Sequence, residues 1–193
     1  MPSWTPERYT DALLFAAAAH GAIDQKVPGS DLPYIVHPAN VTIEVIAALR
    51  HHPEVDGDLA VQCALLHDTL EDTQATYEAV RERFGAAVAD GVAALSKNEV
   101  AAVGLEGEPT RKAAMMADSL VRIRQQPVEV WMVKLADRVV NLSEPPHYWD
   151  GAKRRRYRAE AGIILAALGD ASPYLRARLA ICIEAYEAWL DPA

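Results

Sequence analysis

Apolar positions recur three and four residues apart along most of the chain, the spacing of helices that bury one face. From Thr5 to His20 the chain is rich in Ala and Leu. Thr5-Pro6-Glu7 offers a cap, a proline for the first turn and an early acid, and Gly21 offers a stop. Pro28, Gly29, Ser30 and Asp31 predict a loop over 25–33. Helices are expected from Pro38 through Leu49, from about Asp58 to Leu70, from Tyr77 to Phe84 with Gly85 as its end, and from Ala86 to Leu95. A surface loop holding Gly104 and Gly107 is expected over 98–109. Thr110 is then placed to cap a helix that Pro127 ends. The next segment is divided: Val128-Glu129-Val130-Trp131 has strand-like residues, whereas Met132 to Leu142 has helical spacing. Helices over Ala152 to Leu168 and from Ser172-Pro173 to about Leu190 complete the set. The pattern predicts one all-α domain spanning 1–193, with Leu13, Leu14, Ile46, Leu65, Leu66, Val133, Leu135, Val140, Ile163, Ile164, Leu179 and Ile183 in its core.

Composition narrows the function classes. Apolar residues make up 51% and charged residues 24%, as in ordinary globular chains. The balance of 19 Lys+Arg against 27 Asp+Glu gives a net charge of −8, which argues against a nucleic-acid partner but leaves room for one small anion in a basic pocket. Cys63 and Cys182 are too few for a disulfide framework or a thiolate zinc site. The start of the chain has no secretory pattern, and no stretch nears the ~18 apolar residues of a membrane span. A cytoplasmic location without membrane contact is the expectation.

Three polar intrusions break the apolar pattern. In Leu65-Leu66-His67-Asp68-Thr69-Leu70-Glu71-Asp72-Thr73, helical spacing sets His67 beneath Glu71 and Asp68 beneath Asp72, roughly 5 Å apart along the axis. A capping acid at a helix end is the plain alternative, but Ala64-Leu65-Leu66 just before the pair suggests burial, and buried carboxylates need a partner or a metal. Asp137, which shares a face with Asn141, can add a carboxylate; taken alone, an ion pair with Lys134 or Arg138 is the favoured reading. His37 precedes Pro38, where an extended chain would mount an imidazole rigidly. Two imidazoles and two carboxylates from three segments form a mixed N/O set that favours Mn²⁺, Fe²⁺ or Co²⁺ over structural zinc. Such an ion suits phosphoester hydrolysis.

His37, the His67-Asp68 pair and Asp137 resemble the H…HD…D signature of the HD-domain metal-dependent phosphohydrolases. Phe15-Ala16-Ala17-Ala18-Ala19-His20, Pro33-Tyr34-Ile35-Val36-His37-Pro38, His67 to Thr73, Phe84-Gly85 and Lys134-Leu135-Ala136-Asp137-Arg138 are similar to the hydrolase domain of RelA/SpoT proteins and of the stand-alone small alarmone hydrolases. The likeness runs from about Asp11 to Asn141 and is to a hydrolase-only form. It implies a bundle of about eight to ten helices. The implied reaction removes the 3′-pyrophosphate of (p)ppGpp, giving GDP or GTP and pyrophosphate, usually with Mn²⁺. By motif position His37, His67, Asp68 and Asp137 would bind the ion; Glu71 and Asp72 would activate water or protonate the leaving oxygen; Asn141 would touch the nucleoside.

The chain departs from the family in one loop. Where the family commonly has Arg-Lys before Pro-Tyr-Ile, Gln25-Lys26 stands, so Lys26 can meet a phosphate while Gln25 offers no cationic plane to a base. A phosphohydrolase on another nucleotide, such as an NADPH 2′-phosphate, or a non-catalytic alarmone sensor are the alternatives. In the basic run Lys153 to Arg158 most residues are expected on a solvated face, but Lys153 and Tyr157 share a side and match a phosphate-contacting pair of the small hydrolases. One of Lys97, Arg111 and Lys112 is expected to close over phosphate. Trp189 and Leu190 are placed to pack internally or against a second subunit in a homodimer.

Overall fold

The computed structural model describes residues 4–190. Its α-helices are α1 (Pro6–Gly21), α2 (Val36–Leu49), α3 (Gly57–Leu66), the single turn α4 (Thr69–Asp72), α5 (Tyr77–Phe84), α6 (Ala86–Leu95), α7 (Glu108–Arg124), α8 (Val128–Asn141), α9 (Gly151–Leu168) and α10 (Pro173–Ala185). No strand occurs among the described residues; the loop after α1 closes with one isolated bridge between Lys26 and Pro33.

The centre of the bundle is α3, and its sequence explains why. Every residue of Gly57–Leu66 except Asp58 is buried, so this helix has no solvated face to speak of. It packs against α1, α2, α6 and α8. Asp56 caps it by accepting from the Leu59 amide at 3.0 Å, while its own amide donates to the buried Glu129 carboxylate of α8 at 2.7 Å. Gly91 of α6 permits close approach to both neighbours: a Cβ there would lie 2.8 Å from Cys63 Sγ and 2.9 Å from a methyl of Val130. Gly85, at φ 92°, makes the corner between α5 and α6.

Several expectations change. Leu14 and Ile163 are 61% and 49% exposed, outside the core; Ala12, Ala16 and His20 in α1 and Ala161, Ile164 and Leu168 in α9 are the buried positions there. The segment from Val128 is helical throughout, because Pro127 sets its start and Val130, Met132 and Val133 all enter the core. Helix α7 begins at Glu108 behind Gly107, so Thr110 lies inside its first turn and does not cap it. The preceding loop contains a 3₁₀ turn, Glu99–Ala102, capped by the Asn98 side chain. The last helix stops at Ala185 and continues as a 3₁₀ turn, Tyr186–Trp189; Trp189 stays 36% exposed. Thr5 occupies the N-cap position of α1, but its side chain bonds to Asp58 of α3 and caps nothing.

Candidate metal centre and cleft

The expected helix over 58–70 is interrupted where the chemistry lies. Helix α3 ends at Leu66, His67 and Asp68 form a turn, and α4 follows. Side chains at the break take up the carbonyls that a helix end leaves free. Nδ1 of His67 lies 2.8 Å from the Ala64 carbonyl, and the Thr69 hydroxyl donates to the Leu66 carbonyl at 2.7 Å. The first bond also fixes the ring: a hydrogen on Nδ1 turns Nε2 toward the interior as a ligand atom.

His37 reaches the same point from α2. It is not in extended chain: α2 starts at Val36, so His37 and Pro38 lie in its first turn, where a missing amide hydrogen costs no helical bond. Asp137 arrives from α8, whose apolar side is buried and carries this acid inward. His37, His67 and Asp137 are 9%, 4% and 6% exposed, and one ligand atom from each lies within 4.8 Å of the others. Nε2 of His37 is 3.3 Å from Nε2 of His67 and 3.4 Å from Asp137 Oδ1. Asp68 joins them, its Oδ2 lying 2.9 Å from His67 Nε2 and 3.6 Å from His37 Nε2.

This donor set fits a divalent cation. Two ring nitrogens aimed at one point and two carboxylates around it concentrate lone pairs and negative charge, which is costly to bury without a cation. The groups around the centre hold the ligands in place. Tyr34 donates to Asp68 Oδ2 at 2.6 Å, Lys134 to Asp137 Oδ2 at 3.0 Å, and Asn141 to Asp137 Oδ1. Burial pushes the His67 ring down, but the Asp68 charge and hydrogen bond, with Asp137, outweigh it and raise its pKa to about 9. Burial pushes the Asp68 and Asp137 carboxyls up; the imidazoles, and Lys134 beside Asp137, hold both below the usual range.

The centre forms one wall of a cleft of about 510 Å³. Asp68, Glu71, Asp72, Asn141, Lys153 and Tyr157 line it, so these expected residues are brought together. Glu71 accepts from the Lys97 backbone amide at 2.9 Å and pairs with its ammonium. Asp72 is raised by desolvation, an effect that the donated Gln25 bond opposes. Lys97 and Lys112 line the cleft and Arg111 does not. Lys26 lies outside the lining, paired with Asp24 at 2.6 Å, and Gln25 is turned toward Asp72.

Sequence reasoning passed over Arg138, Arg156, Met115 and Met116, which also line the cleft. Arg138 lies with its guanidinium carbon 4.2 Å from the Tyr157 ring centre, and the Lys153 ammonium lies 4.2 Å from that of Trp149. Arg138 had a readable signal: a charge on the buried side of an amphipathic helix, next to a site acid. The methionines had none, since Met at helical spacing is ordinarily core.

Known proteins share this arrangement of elements. A guanosine-3′,5′-bis(diphosphate) 3′-pyrophosphohydrolase of Danio rerio is 29% identical over 169 residues, covering 86% of this chain and 86% of the relative. One of Aquifex aeolicus is 34% identical over 136 residues, 70% of this chain but 17% of its own length. The bifunctional (p)ppGpp synthase/hydrolase SpoT of Escherichia coli is 32% identical over 143 residues, 74% and 18%. This chain thus spans about a fifth or less of the length of the long relatives. A solved structure described as a metazoan ortholog of SpoT that hydrolyzes ppGpp superimposes with a TM-score of 0.74 over 97% of this chain and 99% of that one, at 22% identity. A Listeria monocytogenes structure gives 0.57 over 80% and 97%, at 23% identity. Both are likenesses of fold. The HD domain family matches residues 12–173, a range that takes in all four converging ligands, and the chain belongs to that family.

Proposed function

We propose that this chain, acting as one HD-type unit, hydrolyses the 3′-pyrophosphate of (p)ppGpp to GDP or GTP and pyrophosphate, with Mn²⁺ as its metal and Fe²⁺ or Co²⁺ as possible substitutes. The observation that carries this reading is a metal-competent centre that shares one cleft with the cations Lys112, Lys153 and Arg156. The names of the relatives, above all one matched along 86% of both chains, support the substrate.

His37, His67, Asp68 and Asp137 would hold the ion. When bound, it supplies Lewis acidity, drawing charge from a phosphoryl oxygen and making water a stronger acid. Glu71 and Asp72, one turn beyond the ligand pair, handle the proton that water gives up and the proton that the leaving oxygen takes. Lys97 fixes the Glu71 carboxylate. Lys112, Lys153 and Arg156, with Arg138 stacked on Tyr157, line the cleft and would receive the phosphates. These cations draw a highly anionic nucleotide to a chain whose net charge is −8. Asn141, which lines the cleft and bonds to Asp137, would touch the nucleoside.

Purified, Mn²⁺-loaded protein is expected to release pyrophosphate from ppGpp, and not single phosphates. Folded, metal-loaded protein that leaves ppGpp intact rules this function out. One observation favours a second reading: Gln25 is committed to His20 and Asp72, and Lys26 to Asp24, so this loop presents no cation to a guanine. A nucleotide with another base and a ribose phosphate, of NADPH type, then competes on equal terms, and side-by-side kcat/KM values for ppGpp and NADPH decide between them.

A further inference from the structure

Gln25, in the loop between α1 and α2, is half-buried beside the cleft without lining it. Its amide bridges two groups. Oε1 is 2.6 Å from Nδ1 of His20, and Nε2 donates to Oδ2 of Asp72 at 2.9 Å. The two ends are not interchangeable. An ionised carboxylate only accepts, so the amide NH₂ must face Asp72. The amide oxygen is left for His20, whose Nδ1 therefore carries the hydrogen. Nε2 of His20 is then the bare nitrogen, buried with no hydrogen-bond partner among the described residues. Burial favours such a neutral ring, pushing the His20 pKa down.

His20 itself is 2% exposed and is held by more than this bond. Its ring centre lies 4.8 Å from that of Tyr34, whose hydroxyl donates to Asp68. One buried imidazole at the end of α1 thus stands behind two cleft acids, Asp68 through Tyr34 and Asp72 through Gln25. Asp72 ends the four-residue helix α4, and Thr73 after it is already extended. A carboxylate on so short a support has little of its own to fix its rotamer, and the Gln25 bond supplies what the helix lacks.

The geometry points to Gln25 as a positioning residue for Asp72, with His20 fixing the direction of its amide. This rests on Asp72 handling a proton in the proposed hydrolysis.

Steady-state hydrolysis of ppGpp by the Mn²⁺-loaded full chain tests it. Gln25→Leu keeps bulk and loses both bonds. Gln25→Glu keeps size and the oxygen facing His20, but sets an acceptor against Asp72. Both are expected to lower kcat roughly tenfold to a hundredfold with KM within about twofold, because a displaced group slows the chemical step more than binding. Bound metal should match the parent protein and both variants should be folded at the assay temperature, with Tm lowered in Gln25→Leu, which leaves the buried Nδ1–H of His20 without its partner. Adding Gln25→Leu to Asp72→Asn should cost no more than about twofold beyond Asp72→Asn alone, since the group Gln25 acts through is already gone. Undiminished kcat in Gln25→Glu, a rise in KM with kcat unchanged, or a full additive loss in the double variant overturns the inference while leaving the hydrolytic reading intact. Undiminished turnover in Asp72→Asn removes the acid's role, and this inference with it. Parent protein that leaves ppGpp intact fails at the earlier step, before Gln25 is tested.

Discussion

His67 uses both ring nitrogens, one on the Ala64 carbonyl and one on the shared centre, and its neighbour Asp68 is the more exposed ligand. The roles at this pair separate experimentally. Asp68→Ala is expected to abolish bound metal, by elemental analysis, and turnover together. Glu71→Ala should keep the metal and lose roughly 10²–10⁴ in kcat, the usual range for a proton-handling group. The metal-free protein should also show the His67 proton in its stability. The folded-state pKa of about 9 lies above the ordinary histidine value, so the native state holds a proton that the unfolded chain releases. That contribution is complete below about pH 6.5 and is lost as pH rises through about 9. Urea midpoints of chelated protein should therefore fall between pH 6.5 and 9.5, and a His67→Gln variant should flatten the fall. The depressed Asp68 and Asp137 act oppositely, losing their contribution as pH drops below the ordinary carboxylate range.

At the scale of elements, the amphipathic pattern marked almost every helix, because burial of one face is what holds these helices together. The misses have local causes. Val128-Glu129-Val130-Trp131 looks strand-like only because consecutive apolar residues have no period; Pro127 before them and burial beneath α3 decide for helix. The break after Leu66 is invisible to periodicity, since Thr69 and His67 end α3 with side-chain bonds instead of a glycine or proline. The convergence of His37, His67, Asp68 and Asp137 was readable because each intrudes on an apolar run; the positions of Gln25 and Lys26 were not, because loop side chains answer to contacts far along the chain. Helix packing makes its own prediction. Gly91→Ala drives a methyl into Cys63 and Val130, at the junction of α6 with α3 and α8. It should lower stability by about 1–3 kcal/mol, read as a lower urea midpoint at unchanged m.

For the whole molecule, the ligands come from α2, the α3–α4 turn and α8, elements that pack directly on one another. Unfolding any of them dismantles the centre, so an ion held as proposed would bind the native state alone. Saturating Mn²⁺ is then expected to raise Tm, by the equivalent of about 2.7 kcal/mol at a hundred times its Kd, and a chelator should reverse the rise. Asp68 has a further consequence. His37, His67 and Asp137 each keep less than a tenth of their side chains open, while Asp68 keeps a fifth open, on the side of the cleft. The traffic of ions must pass on that side, through the space a nucleotide fills. A seated substrate would cork the vessel: radioactive manganese should wash out quickly from the free protein and linger in one loaded with a non-hydrolysable nucleotide.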